Sequence, residues 1–180
     1  MKKLATGCSL AALGILALST AASAQFLFVG GGASFPMSDY GDLADTGFLV
    51  VGGGGIPLGE GGLNALVEGF YGQNSHTGVD GDKTNPYGFM GGLEFDFNPG
   101  GEGVNPYVFG QAGILWHKYS SDTFGDASDS GFAYGAGAGL GFPLGGVNGW
   151  AEGRLMNASI EDSNTMFAAI NVGISIDLGD

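Results

Sequence analysis

The sequence contains almost no cysteine and very little positive charge. Of its 180 residues, one is cysteine and 5 are Lys or Arg, against 18 Asp and Glu. A protein this acidic does not bind nucleic acid by neutralising phosphates, because that binding needs clustered cationic side chains. Cysteine-based metal sites and intramolecular disulfides are excluded by the cysteine count.

Residues 1–24 have the pattern of a secretory signal peptide. Lys2 and Lys3 precede the apolar stretch Leu10 to Leu18, and Ala22 to Ala24 forms a small-residue cleavage site. The apolar stretch is shorter than the roughly 20 residues that a membrane-spanning helix needs. We therefore predict a signal peptide at residues 1–24 and one domain at residues 25–180. Removal of the signal peptide takes Cys8 with it and leaves three cations, Lys83, Lys118 and Arg154.

Long apolar runs are also missing after residue 24, whereas glycine is abundant. We predict no transmembrane helix there, because a helical span needs about 18 or more consecutive apolar residues. The chain has 38 glycines, and interior glycine costs a helix about 1 kcal/mol per residue. The glycines show no collagen period, and 44% apolar content is too high for a disordered chain. A single β-rich domain is the remaining interpretation.

A repeated Pro-Gly-Asn phrase divides the chain into strands. It occurs at residues 57–64, 99–105 and 143–148, and clusters of this kind mark turns. The connections between these hairpins are longer, polar and acidic, at residues 36–45, 73–85, 118–130 and 160–165. The strands predicted between them are Gln25–Phe35, Val50–Gly55, Ala65–Gly72, Met90–Phe97, Tyr107–Trp116, Ala136–Phe142, Trp150–Met156 and Met166–Leu178. Eight strands that alternate short turns with long loops are typical of an outer-membrane barrel.

Apolar residues occupy every second position of the clearest strands. In the last strand, Ile170, Val172, Ile174 and Ile176 alternate with small or polar residues. A soluble sandwich would bury such a face in its core. We favour the opposite orientation, with apolar residues facing lipid and glycine filling a narrow lumen, because the other face carries glycine and a few acids.

Aromatic residues concentrate near the predicted strand ends, where amphipathic rings favour the membrane interface. We predict two aromatic girdles. The girdle near the long loops contains Phe35, Tyr71, Tyr87 and Trp116, and the girdle near the turns contains Phe95, Phe97 and Phe142, together with Phe26 and Phe28.

Three segments resemble a known family. They are Asn105 to Gly110, Tyr134 to Phe142 and the alternating last strand. They are similar to the small eight-stranded outer-membrane β-barrels of the outer-membrane protein A and X type. Family members often end in an aromatic residue, whereas this sequence ends in Asp180.

The resemblance implies an all-β fold, an eight-stranded antiparallel up-and-down transmembrane β-barrel, at residues 25–180. It implies a Gram-negative outer-membrane location and no enzymatic activity. The expected partners are outer-membrane lipid and lipopolysaccharide, the barrel-assembly machinery and an unknown surface partner of the loops. We also expect a monomer and no cofactor.

Aligning the turn phrases predicts a polar cluster in the lumen. If the three phrases share one register, Glu68 and Glu152 face inward, together with Glu94, Asn171 and Arg154. A buried cation must be paired, so we expect Arg154 to contact one or more of the other four. The cluster is either a structural plug or a gate for a narrow ion path.

Signatures of catalysis are absent from the sequence. The two histidines, His76 and His117, belong to no nucleophile or zinc motif, and Asp80 to Asn85 lacks the spacing of a calcium loop. We predict no metal site, although loop acids could bridge divalent ions to anionic lipid.

The leading hypothesis is a non-enzymatic outer-membrane barrel with a structural and surface-interaction role through its acidic loops. The alternatives are a narrow gated channel and a soluble secreted barrel that binds a small apolar ligand.

Overall fold

The computed structural model describes residues 25–76, 78, 81–121, 125–160 and 163–179. These residues form eight β-strands and one short helix, α1. The strands are β1 Phe26–Met37, β2 Gly47–Pro57, β3 Leu63–Ser75, β4 Lys83–Asp96, β5 Asn105–Ser121, β6 Gly125–Pro143, β7 Asn148–Ile160 and β8 Ser163–Asp177, and α1 is Asp39–Leu43. In the described part of the chain, no helix is long and apolar enough to cross a membrane. The predicted signal peptide lies outside the described residues.

The strands close into one antiparallel barrel in chain order, which confirms the predicted fold class. Closure occurs between the first and last strands, whose register runs from Phe26 opposite Asp177 to Met37 opposite Met166. We call the end with the three short connections the turn end and the opposite end the loop end. At the turn end, Gly62 and Gly103 have φ values of 81° and 98°, which side chains with a Cβ rarely adopt.

The apolar positions of the alternating pattern in β6 and β8 face outward, as predicted. Phe89, Phe132, Ile170 and Val172 are each 61% exposed on the isolated chain. Monomeric soluble proteins rarely expose continuous apolar surface of this extent, so the exterior requires a lipid environment. The soluble-barrel alternative is therefore wrong, because it needed the same side chains to be buried.

Inward-facing glycines provide room for aromatic rings from neighbouring strands. A Cβ on Gly137 would overlap the ring of Phe109, and one on Gly173 would overlap the indole of Trp150. An eight-stranded barrel has an interior just wide enough for side chains. The glycine content of the sequence thus allows large rings to lie flat inside a narrow lumen.

Two predicted girdle residues, Phe26 and Phe28, face the lumen instead. Their neighbours Leu27 and Val29 face outward, 51% and 53% exposed. The alternation of β1 therefore places both phenylalanines inside, where Phe28 packs edge-on against Trp150 at a centroid distance of 6.4 Å. The sequence was ambiguous here because residues 26–29 are apolar at every position.

The strands at the loop end are longer than predicted. The loop expected at residues 118–130 is mostly a two-stranded ribbon, in which β5 and β6 pair from Trp116 opposite Ser130 to Ser121 opposite Gly125. Its residues are polar on both faces and therefore lack the apolar alternation that marks a strand in lipid. The predicted loop at residues 36–45 contains α1, which folds toward β1 and β8.

Candidate functional site in the barrel lumen

A charged bridge crosses the middle of the lumen. Arg154 on β7 meets Glu68 on β3 through two parallel hydrogen bonds, Nη1 to Oε1 at 2.5 Å and Nη2 to Oε2 at 2.9 Å. The two side chains are only 3% and 5% exposed. In a closed barrel of eight strands, β3 and β7 lie on opposite walls, so this pair spans the lumen.

Glu152 completes the bridge on the β7 wall. Its Oε1 accepts a hydrogen bond from Arg154 Nε at 2.7 Å and one from Asn171 Nδ2 at 3.3 Å. Its Oε2 accepts one from the Tyr107 hydroxyl at 3.2 Å. The guanidinium carbon of Arg154 also lies 5.2 Å from the centroid of the Phe109 ring, within the range of a cation–π contact. One buried cation is thus held between two carboxylates with its donors paired.

The structure brings four of the five predicted cluster residues together and leaves Glu94 apart. Glu68 lies opposite Met90, whereas Glu94 lies opposite Asn64, nearer the turn end. There Glu94 accepts a hydrogen bond from Asn64 Nδ2 at 3.2 Å, and the same amide donates to Asp96 at 2.8 Å. Glu94 therefore belongs to a second hydrogen-bond network, in which the neutral Asn64 amide is the donor, and not to the arginine bridge.

Between the bridge and the turn end lies a cavity of about 530 Å³, which we call the vestibule. Aromatic rings form part of its wall, among them Phe26, Phe28 and Trp150. Carboxylates form another part, including Glu94 and Asp96. This half of the lumen has both apolar and charged walls, and it is open and wide enough for water.

The loop-end half of the lumen is an apolar core that the sequence analysis missed. Its buried side chains include Leu49, Val51, Met90, Leu115, Met156, Ile160 and Phe167. The sequence pattern predicts glycine and polar groups along the whole interior. A signal was present, since these strands turn apolar on both faces near the loops, as in Leu49-Val50-Val51 and Met166-Phe167.

A polar cap covers this apolar layer. Tyr40 of α1 is 7% exposed and donates a hydrogen bond to Asn74 Oδ1 at 3.3 Å, while its ring lies 5.2 Å from that of His117. Asn74 in turn donates to the backbone oxygen of Asp45 at 2.9 Å. The first loop is thereby fastened over the mouth of the barrel.

The histidines belong to the cap and not to a catalytic arrangement. His76 shares a hydrogen bond of 2.7 Å with the Thr84 hydroxyl, and its ring lies 5.1 Å from that of Tyr119. The Tyr119 hydroxyl donates to the carboxylate of Asp82, which lowers the pKa of Asp82. Within the described ranges, no three His, Cys, Asp or Glu side chains are grouped to hold a metal ion.

The other predicted girdle residues lie on the outer surface near both ends. At the loop end, Tyr87 and Trp116 stack with centroids 5.7 Å apart and an interplanar angle of 10°. Tyr71 pairs with Phe48 at 6.2 Å on the neighbouring strands. At the turn end, Phe95 and Phe97 meet edge to face at 5.3 Å. Phe35 is also exposed near the loop end, and Phe142 is half-buried near the turn end.

A closed barrel with an apolar exterior, aromatic ends and an internal charged bridge is an outer-membrane barrel. The family model for the outer membrane protein beta-barrel domain matches residues 8–177, so the chain belongs to that family. The protein is located in the outer membrane of a Gram-negative cell, and by the family pattern its turn end faces the periplasm. No curated protein sequence matches the chain.

Solved structures with the same fold are small outer-membrane barrels. Neisserial surface protein A matches with a TM-score of 0.69 and 14% identity, over 84% of this chain and 96% of its own. The N-terminal barrel of OprF from Pseudomonas aeruginosa matches with a TM-score of 0.52 and 18% identity, over 86% and 99%. Ail, the attachment invasion locus protein of Yersinia pestis, matches with a TM-score of 0.51 and 19% identity, over 86% and 99%. These likenesses show the shared fold.

Proposed function

We propose that this protein is a non-enzymatic outer-membrane barrel that strengthens the envelope and offers an acidic strand edge to an extracellular partner. The observation that carries the proposal is the ribbon formed by β5 and β6 beyond the membrane. In the part of the chain that the structure describes, pairing between β6 and β7 begins at Phe132 opposite Ser159, so residues 125–130 of β6 pair with β5 and with no described residue of β7.

The exposed side of this ribbon has the features of a strand-addition site. Residues 125–130 are exposed at every position and include Asp126 and Asp129. An unpaired strand edge presents backbone donors and acceptors to any extended chain that approaches it. Because like charges oppose pairing between two copies, the edge favours a basic, extended segment, which main-chain hydrogen bonds would hold. Ail, which shares the fold, is named for attachment, and this supports a surface role.

Binding of a short peptide that alternates lysine and threonine tests this function. We expect Asp126→Asn/Asp129→Asn to weaken binding about tenfold at low salt and wild-type binding to weaken as salt rises. The matched control is Asp39→Asn/Asp42→Asn, which removes two exposed acids from α1. Equal weakening in both variants would show that overall charge, and not the ribbon edge, attracts the peptide.

The arrangement of the lumen supports a plug over a gated channel. The bridge between Arg154 and Glu68 crosses the lumen, and the apolar layer and the Tyr40 cap lie above it. Opening the bridge alone would leave the apolar layer in place. We therefore expect negligible conductance in planar bilayers from both the wild type and Arg154→Ala. A current that appears only in the variant would restore the channel hypothesis.

A further inference from the structure

The asparagines that end the first two turn phrases hold carboxylates at the turn end of the lumen. Asn64 Nδ2 donates to Glu94 Oε1 at 3.2 Å and to Asp96 Oδ2 at 2.8 Å. Asn105 Nδ2 donates to the other oxygen of Asp96, also at 2.8 Å. A neutral amide orients a carboxylate but does not compensate its charge. The repeated phrase therefore fixes the position of two acids on β4 and leaves them without a cationic partner.

The wall of the vestibule contains many more acids than cations. Among its described lining residues, the only Lys or Arg is Arg154, which is already held between Glu68 and Glu152. The remaining acids of the wall are Glu94, Asp96, Glu102 and Asp177. A cleft lined by one sign of charge raises the local concentration of ions of the opposite sign. The vestibule therefore attracts cations.

The wall that faces the β4 acids is aromatic. Glu94 and Asp96 lie on β4, which is four strands from β8 in the closed barrel, so β4 and β8 face each other across the lumen. The Trp150 indole covers the inner side of β8, because a Cβ on Gly173 would lie 2.3 Å from it. Phe28, on the adjoining β1, packs against the same indole. A molecule in the vestibule thus has carboxylates on one side and aromatic rings on the other.

Trp150 also carries a hydrogen-bond donor that the protein does not use. The residue lines the vestibule and is 7% exposed, and its Nε1 is buried with no hydrogen-bond partner among the described residues. Buried polar side-chain atoms are normally hydrogen-bonded. An acceptor atom on a molecule bound against the indole would satisfy this donor.

We propose that the vestibule binds a small organic cation whose ammonium group carries alkyl substituents. Its volume of about 530 Å³ lies within the range of about 300–1,000 Å³ that is usual for small-molecule sites. Alkylated ammonium groups are attracted by carboxylates and also by aromatic rings, whereas a hydrated inorganic cation gains less from the rings. Because the turn end faces the periplasm, the cation enters from there. This inference goes beyond the proposed function and does not rest on it.

Choline and 3,3-dimethyl-1-butanol test the proposal, because the two molecules have nearly the same shape and only choline is charged. The full mature chain is purified in a maltoside detergent, which carries no ammonium group. Trp116→Phe leaves Trp150 as the only tryptophan, so its fluorescence reports binding in the vestibule. Calorimetry gives the Kd. We expect choline to change the Trp150 emission and to bind about tenfold more tightly than the alcohol.

Variants of each wall identify the groups that bind choline. Glu94→Gln/Asp96→Asn replaces both carboxylates with neutral side chains of the same shape and should weaken binding about tenfold. Phe28→Leu keeps an apolar side chain but removes a ring, and should weaken binding about threefold. The matched control, Asp39→Asn/Asp42→Asn, removes two exposed acids at the loop end and should leave the Kd unchanged. The shift in gel mobility between unheated and boiled samples checks that each variant is folded.

Four results would overturn the proposal. The wild type might bind choline and the alcohol equally, which would show an apolar pocket only. Potassium chloride at the same concentration as choline might displace it, which would show unselective attraction of cations. Choline might bind without changing the Trp150 emission, or the control variant might weaken binding as much as the vestibule variant, and either result would place the site elsewhere. The wild-type comparisons decide the matter even if a variant fails to fold, and none of the results depends on whether the ribbon binds a basic peptide.

Discussion

The two halves of the lumen are enclosed by the same eight strands but filled in different ways. The turn-end half contains the vestibule, a cavity of about 530 Å³ walled by aromatic rings and carboxylates. The loop-end half is packed with apolar side chains, and Leu115, Ala133 and Phe167 are completely buried there. The bridge between Arg154 and Glu68 lies at the boundary.

This difference shows that different groups fill the loop end of the lumen and connect the opposite walls of the barrel. Apolar packing and the Tyr40 cap close the loop end, because tightly packed side chains leave no continuous path for water. The ionic bridge connects opposite walls and fixes the shape of the barrel at its middle. Within the residues that the structure describes, the vestibule lies on the turn-end side of the bridge and the packed apolar layer on the loop-end side.

The largest expected effect comes from removing the ion pair between Arg154 and Glu68, which lies at the boundary between the two halves. Arg154→Met leaves Glu68 and Glu152 buried without their cation, and removing one partner from a buried ion pair costs about 3–5 kcal/mol. Urea unfolding of the barrel in lipid vesicles measures the loss. The triple variant Glu68→Gln/Glu152→Gln/Arg154→Met should recover most of it. An unchanged midpoint for the single variant would show that the bridge is not required for stability.

A matched pair of phenylalanines compares the two halves directly. Phe167→Ala empties the packed loop-end half and should cost about 3–5 kcal/mol. Phe26→Ala widens a cavity that is already open, and because the ring is half-buried it should cost about 1 kcal/mol. The same unfolding measurement distinguishes the variants. Equal losses at the two positions would contradict the difference in packing.

Glycines on the two faces of the sheet test how tightly the rings are seated in the lumen. A Cβ at Gly173 would overlap the Trp150 indole and the Val29 carbonyl oxygen, so Gly173→Ala should cost about 1–3 kcal/mol. Gly153 has no atom within 4 Å of an added Cβ, and Gly153→Ala should stay within about 0.5 kcal/mol of the wild type. If both variants unfold at the wild-type midpoint, the indole can shift freely.

The smallest effect concerns the cap and depends on pH. The Tyr119 hydroxyl lowers the pKa of Asp82, so this bond contributes stability above the unfolded pKa of about 3.9. That contribution is lost as the pH falls through the lower pKa of the folded state. Tyr119→Phe should therefore be slightly less stable than the wild type at neutral pH, and the two should converge in acid. A constant difference across the titration would assign the loss to packing alone.

Much of the barrel was predictable because its signals are local. The repeated turn phrases gave the number of strands, and alternation in β6 and β8 gave the face that meets lipid. The ribbon at residues 118–130 could not be predicted in this way. Its pairing is solvated on both faces, so no apolar period marks it, and only the partner strand shows that it is extended.

The lumen was predictable only in part. Counting from the turns placed Glu68, Glu152, Asn171 and Arg154 inside, and the structure brings them together. The same count did not separate Glu94 from them. Strands of a closed barrel are tilted and staggered, so equal distances from a turn correspond to different heights. Only the register between strands determines which inward residues meet.

The sequence by itself determined the strand count, the lipid-facing side and the polar inward residues near the middle of the barrel, because a strand alternates its side chains with a period of two whatever its neighbours are. The tertiary structure decided which of those residues touch. It placed Arg154 against Glu68 on the opposite wall, set the apolar layer beneath the cap and brought Lys83 beside Lys118. These contacts arise from closing and staggering the sheet, and that geometry belongs to the whole barrel rather than to any one strand.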